Sequence, residues 1–156
     1  MGISLSDLSP KMRKQAIEKF SAGQVRNPGK KDSVVYVIKG NPITKKNSSQ
    51  ILVNSKTGRR FVAPSKAYTS YEKSAGMFLQ PRPIKPIETR INVKCVYYME
   101  THRRVDLANL ISATCDILTH YGIISDDNSG IVVSHDGSRV DYDKDNPRAE
   151  ITIQEV

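Results

Sequence analysis

The sequence predicts an α+β domain in which helices pack on a mixed β-sheet. The main observation is that segments rich in β-branched and aromatic residues occur both before and after two segments with helical periodicity. The second is that the length of 156 residues and the 38% hydrophobic content suffice for one domain with a buried core. In addition, no apolar run approaches the length of a membrane span.

The first 32 residues are predicted to lie outside this domain. Residues 5–21 have apolar side chains at helical spacing after Ser9-Pro10, which is a typical N-cap and first-turn pair. Residues 23–31 are rich in Gly, Pro, Lys and Arg, which favours a linker. We therefore expect a helical appendage with a basic linker over residues 1–32 and the folded domain over residues 33–156.

The first half of the domain is predicted to contain a strand, a hairpin and a helix. Residues 33–40 form a β-branched and aromatic run that predicts a buried strand. Residues 51–54 and 59–63 flank a Gly-containing turn and predict a β-hairpin. Residues 66–79 have apolar side chains at intervals of three and four, and Ser65 stands where an N-cap is needed.

The second half is predicted to alternate between strands and one long helix. Residues 90–99 alternate in polarity, so we expect Ile91, Val93, Cys95 and Tyr97 to share one buried face. The remaining predicted elements are a helix over 107–121, a short strand ending at Ile124, a strand over 131–134 and a last strand over 149–153. Residues 141–146 begin like a calcium loop but lack its Gly and its final Glu, so a turn is predicted there.

Charge is distributed unevenly along the chain. The formal net charge is +8, but residues 1–105 hold 21 basic and 6 acidic side chains, whereas residues 106–156 hold 3 and 10. This pattern predicts a polyanion-binding face that leads into a metal site, with an unevenly charged surface as the simpler alternative. Cys95 and Cys115 lack metal-ligand spacing, which favours a reduced interior and the cytoplasm.

The predicted helix after Asp106 separates an apolar face from a polar one. At 100° per residue, a second stripe with a row of polar groups contains Asp106, Asn109, Ala113, Asp116 and His120. This row is a candidate binding site. The alternatives are a solvated face and, for Asp106, an ordinary N-cap that contributes about 1 kcal/mol.

The loop at residues 125–130 places two carboxylates side by side. Asp126 and Asp127 repel each other unless they are solvated or share a cation. In a basic protein, this pair together with Asp106 is a suitable ligand set for an octahedral Mg²⁺ or Mn²⁺ ion that bridges protein and phosphate. A solvated turn is the alternative interpretation, since these residue types also favour turns.

Basic residues precede the acidic ones. Arg103 and Arg104 stand immediately before Asp106 and are predicted to bring a phosphodiester to the metal. Further candidates for phosphate contacts, in loops or at hairpin edges, are Lys45, Lys46, Arg59 and Arg60. Tyr68 and Tyr71 could stack on an exposed base, although packing against the protein is the favoured interpretation.

These residues resemble RusA-type Holliday junction resolvases, especially those of phages and prophages. The resemblance lies in the segment 104–110 (RVDLANL), the Asp116-Ile117-Leu118 step and the segment 122–127 (GIISDD), with the same spacing between the acids. Gly40-Asn41-Pro42 and Lys45-Lys46-Asn47 are similar to the family's first strand and loop, which adds Asn47 to the candidate DNA-binding residues. The resemblance spans roughly residues 33–153.

The resemblance implies a homodimeric endonuclease that makes paired, Mg²⁺- or Mn²⁺-dependent nicks in four-way DNA junctions during recombination and repair, in a bacterial or phage-infected cell. It implies that Asp106 and Asp127 hold the metal and that Asp126 supports them. The sequence departs from the family at Ala108, where an acid is expected, and at Ser112, where a lysine is expected.

Other residues could replace the missing groups. Candidate replacement ligands are Asn109 and Asp116, and candidate replacement cations are Arg103, Arg104 and Arg139. Two alternatives to a junction resolvase remain open at this point. One is a structure-selective DNA-binding module with weak or no catalysis, and the other is a metal-dependent nuclease for other branched or flap DNA.

Overall fold

The computed structural model describes residues 33–46 and 49–156, so the predicted appendage over residues 1–32 and the candidate Asn47 lie outside the described residues. The described elements are, in order, β1 (Ser33–Lys39), β2 (Ser49–Val53), β3 (Arg60–Pro64), α1 (Lys66–Phe78), β4 (Ile91–Met99), α2 (Leu107–His120), β5 (Val132–Ser134), β6 (Arg139–Tyr142) and β7 (Arg148–Glu155). They confirm the predicted α+β class. Among these residues, neither helix has the length and apolar character needed to span a membrane.

The main sheet is mixed and is organised around β4. Its strand order is β1-β7-β4-β5, and β6 also pairs with β4. The pairs of β7 with β1 and with β4 are antiparallel, whereas β5 and β6 run parallel to β4. β4 has nine residues, so β5 pairs with its beginning at Ile91 and Asn92 while β6 pairs with its end at Val96–Met99.

One face of this sheet carries the hydrophobic core. The four positions predicted to share a buried face of β4, Ile91, Val93, Cys95 and Tyr97, are at most 1% exposed. This confirms the predicted alternation. The same cluster includes buried side chains from both helices and from β7: Ala75, Leu79, Leu110, Ile117, Leu118, Ala149, Ile151 and Ile153. The two helices therefore pack on this face of the sheet.

The two helices also contact each other through a tyrosine. The Tyr121 hydroxyl donates to the Glu72 carbonyl at 3.0 Å, and its ring lies so close to Gly76 that a Cβ there would be 2.5 Å from ring carbons. The Arg82 guanidinium lies 4.9 Å from the centre of the same ring. Tyr68 of α1 is completely buried and Tyr71 packs against the core, which confirms packing rather than base stacking for this pair.

Three sequence predictions need correction. β1 is an edge strand rather than a buried one, with Val35 59% exposed and Val34 and Val37 exposed as well. A β-branched run has the same composition in either setting, so only the sheet order distinguishes them. The predicted strand ending at Ile124 is reduced to an isolated bridge with Ile87. β6 was not predicted, because its four residues fall partly in the segment interpreted as a turn.

Candidate functional site

The segment from β4 to α2 forms the wall between two surface cavities. Cavities of about 250 Å³ and 400 Å³ share the lining residues Met99, Thr101, Arg103, Arg104 and Val105. The smaller cavity is completed by residues 41–44, which follow β1, and the larger by residues 140–142 of β6. Both arginines are exposed. The predicted phosphate-binding arginines therefore line open, cationic cavities at one end of the sheet.

Two contacts hold this segment in place. The His102 ring stacks on Tyr142 of β6, with ring centres 3.7 Å apart and an angle of 24° between the planes. On the other side, the Glu100 amide donates to the Asn41 Oδ1 atom at 3.0 Å. The chain at the end of β4 is thus attached both to the loop after β1 and to β6. This arrangement fixes the direction in which the backbone leads into α2.

Asp106 is the N-cap of α2, as its position in the sequence allowed. Its Oδ1 atom accepts the amides of Ala108 at 2.9 Å and Asn109 at 3.3 Å. Because both bonds use Oδ1, the Oδ2 atom takes no part in the cap and can still act as a metal ligand. The positive end of the helix dipole lies at the same point and favours an anion such as phosphate next to the arginines.

The loop with the adjacent acids is well ordered by hydrogen bonds. The Ser125 amide donates to the Ile87 carbonyl at 3.0 Å, and Asn128 Oδ1 accepts the Gly130 amide at 2.8 Å. A hydrogen bond with the Asn128 side chain and one from the Asp127 amide, 2.7 Å from Asp126 Oδ1, hold the pKa of the Asp126 carboxyl below its usual range. Asp126 is therefore engaged within its own loop as a carboxylate.

The middle of α2 contains the buried thiol of Cys115. Burial, followed by the charges of Cys95, Asp127 and Asp116, raises the pKa of the Cys115 thiol to about 12. The loop at 125–130 follows α2 after a short segment that is bonded to the end of that helix, since the Ile123 amide donates to the Leu118 carbonyl at 2.9 Å.

Asp116 has a different environment from Asp106. It follows Asp106 by ten residues, which is about 15 Å along a helix. Its Oδ2 atom forms an ion pair with Lys45 Nζ at 3.0 Å. A single ion with ligand distances near 2.1 Å cannot bind both carboxylates across such a separation. The predicted polar row is also interrupted at Ala113, which is only 3% exposed.

The donor atoms of the predicted metal site are of the kind that a hard cation prefers. Asp106, Asp127 and Asn109 offer carboxylate and amide oxygens, which Mg²⁺ prefers, and Mg²⁺ commonly uses one or two carboxylates together with substrate phosphates. Among residues 33–46 and 49–156, the structure groups no three His, Cys, Asp or Glu side chains around a potential ion. Ala108, where the resemblance led us to expect an acid, is exposed in the first turn.

A protein-family model described as Endodeoxyribonuclease RusA matches residues 39–154. The chain belongs to the RusA endodeoxyribonuclease family. This match confirms the resemblance seen in the sequence, and it covers both the arginine segment and the acids at 106, 126 and 127. No individual curated protein matches the chain.

The remaining predicted DNA-binding residues of this RusA-family chain lie on its surface. Arg59 ends the turn of the β2–β3 hairpin and Arg60 begins β3, and both are exposed. Lys46 is also exposed, in the loop before β2. Arg139, a candidate replacement cation, is exposed in β6, 3.9 Å from Asp141. These residues are therefore spread over the hairpin, the loop after β1 and the end of the sheet.

Sequence reasoning missed two residues that position the arginine segment. Tyr142 and Asn41 hold the arginine segment from opposite sides, but each does so across forty or more residues of chain. A signal for Asn41 existed in the Gly40-Asn41-Pro42 turn, which follows β1. No local signal marked Tyr142, because its role depends on the parallel pairing of β6 with β4.

Proposed function

We propose that this protein is a divalent-metal-dependent endodeoxyribonuclease that cuts four-way DNA junctions, with a role in DNA recombination and repair. The observation that carries the proposal is the continuity of the arginine segment with the acid that caps α2. Two exposed guanidinium groups, a helix N-terminus and a carboxylate follow one another within four residues. That combination suits a phosphodiester held next to a cation.

Phosphate binding is assigned to the chain's own cations. Arg103 and Arg104 present planar donor groups that can bind phosphate oxygens in pairs. Lys45 adds a cation whose ammonium position is fixed by Asp116. The exposed Lys46 and the hairpin arginines extend the cationic surface beyond the cavities. This surface accounts for binding to DNA of any sequence, since phosphate contacts carry no sequence information.

The metal is assigned to the carboxylates at the start of α2 and in the loop at 125–130. Asp106 and Asp127 would hold Mg²⁺ or Mn²⁺, with Asn109 as a further oxygen donor. Bound there, the cation would act as a Lewis acid on the scissile phosphate. Asp126 keeps the loop in its conformation through its bonds with Asp127 and Asn128. Because Ala108 supplies no carboxylate, we expect a higher Mg²⁺ requirement than three acids would give.

A homodimer follows from the proposed reaction. Paired nicks in a four-way junction need two sites, and most soluble homo-oligomers are symmetric dimers. The twofold symmetry of a junction matches such an arrangement. We therefore propose that two copies of the chain act on one junction.

The test is a cleavage assay with labelled four-way junction, linear duplex and flap DNA in Mg²⁺, Mn²⁺ or EDTA. We expect nicks in the junction that require the cation and are absent from the duplex. Preferential cleavage of the flap would transfer the proposal to another branched substrate. No cleavage in any condition, combined with tight junction binding, would support a second candidate, a DNA-binding module without catalysis. The lack of a three-acid cluster in the described residues favours that candidate.

A further inference from the structure

The β2–β3 hairpin exposes apolar side chains on both of its faces. Its strands pair only with each other in the described part of the chain. On one face, Ile51 and Val62 are directly opposite each other and are 69% and 71% exposed. On the other face, Leu52 and Phe61 are paired and are 39% and 48% exposed. A hairpin that only completes a core has one apolar and one polar face, so this hairpin has unused binding surface.

The turn of the hairpin is held by hydrogen bonds. Asn54 Oδ1 accepts the amides of Lys56 at 2.9 Å and Thr57 at 3.2 Å, and the Gly58 amide donates to the Asn54 carbonyl at 2.8 Å. Gly58 has a φ of +66°, a conformation that glycine adopts without strain. A hairpin that is already in its bound conformation loses little conformational entropy when it binds, which favours binding to another molecule.

Charge identifies the class of partner. Lys56, Arg59 and Arg60 surround the turn, and the chain has no acidic residue between Lys39 and Glu72. A second copy of the chain packed through the same face would bring these cations together, because a twofold interface places a patch against itself. Nucleic acid is complementary to both features of the hairpin. Its phosphates can bind the cations, and the faces of unstacked bases can pack against the apolar side chains.

The root of the hairpin is tied to the candidate site. The Ser49 hydroxyl, at the start of β2, donates to the Lys45 carbonyl at 3.1 Å, and the Lys45 ammonium binds Asp116 on α2. At the other end, β3 leads directly to Ser65, which caps α1 through the Tyr68 amide at 3.1 Å. The root of the hairpin is therefore bonded to the loop that carries Lys45, one of the proposed phosphate-binding groups.

We propose that the β2–β3 hairpin is a wedge that enters the branch point of junction DNA, with Ile51 and Val62 against unstacked bases and Lys56, Arg59 and Arg60 on the flanking phosphates. This inference rests on the proposed function, since it assumes a branched substrate. A linear duplex offers phosphates to the cations but no open base faces to the apolar pair. The apolar pair thus contributes preference for the branch, and the cations contribute general affinity.

The test replaces the apolar pair with threonine, Ile51→Thr with Val62→Thr. Facing threonines are a favourable cross-strand pair, so the hairpin is retained. The matched control is Val35→Thr, at a β-branched position on β1 that is 59% exposed. Three quantities are measured for each protein: affinity for a four-way junction and for a duplex of equal length, the fluorescence of 2-aminopurine placed at the branch point, and the mass in solution by sedimentation. Binding is measured in EDTA, so cleavage does not enter.

We expect the double variant to lose about tenfold in junction affinity, with unchanged duplex affinity, and to lose the fluorescence increase that the parent produces. The control should match the parent. An unchanged ratio of junction to duplex affinity in the double variant would overturn the wedge. A lower mass in solution for the double variant would also overturn it and assign the hairpin to a contact between copies. Failure of the parent to cleave junctions would contradict the proposed nuclease without affecting this measurement.

Discussion

Lys45 and Asp116 are 71 residues apart in the sequence and form an ion pair with 3.0 Å between Nζ and Oδ2. The pair connects the loop after β1 with the middle of α2. Its side chains are 48% and 35% exposed, so solvent screens the attraction, and pairs of this kind typically contribute less than about 1 kcal/mol. We therefore assign it a positional role rather than a stabilising one.

The first prediction concerns this pair and its arginine neighbours. Each of Lys45→Ala, Arg103→Ala and Arg104→Ala should lower the salt dependence of junction binding, the slope of log K against log salt, by about 0.9 for each lost phosphate contact. Lys46→Ala should act in the same way. Lys85→Gln is the control, because it removes an exposed cation that belongs to none of the proposed contacts, and its slope should match the parent. If all four alanine variants keep the parental slope, DNA binds on another face.

The second prediction separates two roles of Asp106. Asp106→Asn keeps an oxygen that can accept the Ala108 amide, so the helix cap and the folded state should be retained, while metal-dependent nicking should be lost. Asp106→Ala should also lose the cap, at a cost of about 1 kcal/mol in unfolding free energy. Denaturant unfolding and junction nicking are measured together. Parental nicking by Asp106→Asn would remove this residue from the metal site.

The third prediction applies the same logic to the loop. Asp127→Asn should stop nicking and leave junction binding equal to or tighter than that of the parent, because it removes charge next to phosphate. Asp126→Asn is informative as a partner variant. It should weaken the hydrogen bonds that order the loop but should reduce nicking less than Asp127→Asn does. If Asp126→Asn reduces nicking more than Asp127→Asn does, the assigned roles of these two residues must be exchanged.

The fourth prediction tests the contact between the helices. Replacing a helical glycine by alanine usually stabilises a protein by up to about 1 kcal/mol. At Gly76 the added Cβ would lie 2.5 Å from the Tyr121 ring, so Gly76→Ala should instead destabilise by about 1–3 kcal/mol. Adding Tyr121→Leu should recover part of the loss. Thermal or denaturant unfolding of the parent, the single variant and the double variant measures this. A more stable Gly76→Ala protein would show that the ring moves aside at little cost.

The fifth prediction is a dependence of stability on pH. A hydrogen bond from Arg148, 2.8 Å from Asp143 Oδ2, is the main reason that the pKa of the Asp143 carboxyl lies below its usual range. A carboxyl with a depressed pKa in the folded state stabilises the protein above the unfolded pKa and loses that contribution as pH falls through the folded value. The melting temperature should therefore decrease as the pH is lowered below about 4, and it should decrease less in Asp143→Asn.

The matched control for this measurement is Asp145→Asn, which removes an equal charge from the same turn without touching the ion pair. Its acid dependence should follow that of the parent. If the melting temperatures of Asp143→Asn and of the parent decrease by the same amount between pH 5 and pH 3, the bond to Arg148 does not contribute to the pH dependence of stability.

The sequence by itself determined the local elements of this protein. The period of 3.6 residues and the cap at Asp106 were sufficient to predict α2, and the alternation of polarity over residues 90–99 was sufficient to predict the buried face of β4. The motif around residues 104–110 and the acids at 126 and 127 identified the family, which the family model confirmed. These signals are local because hydrogen bonding within a helix and the two faces of a strand depend on neighbouring residues.

Only the tertiary structure decided how those elements combine. The exposure of Val35 depends on β1 being at the edge of the sheet, and β6 exists as a strand because the end of β4 offers a free side for parallel pairing. The Lys45–Asp116 ion pair and the His102–Tyr142 stack join residues far apart in the chain. Such contacts depend on sheet order and packing. These are decided by the burial of residues that are far apart in the chain, so a local pattern of residues does not encode them.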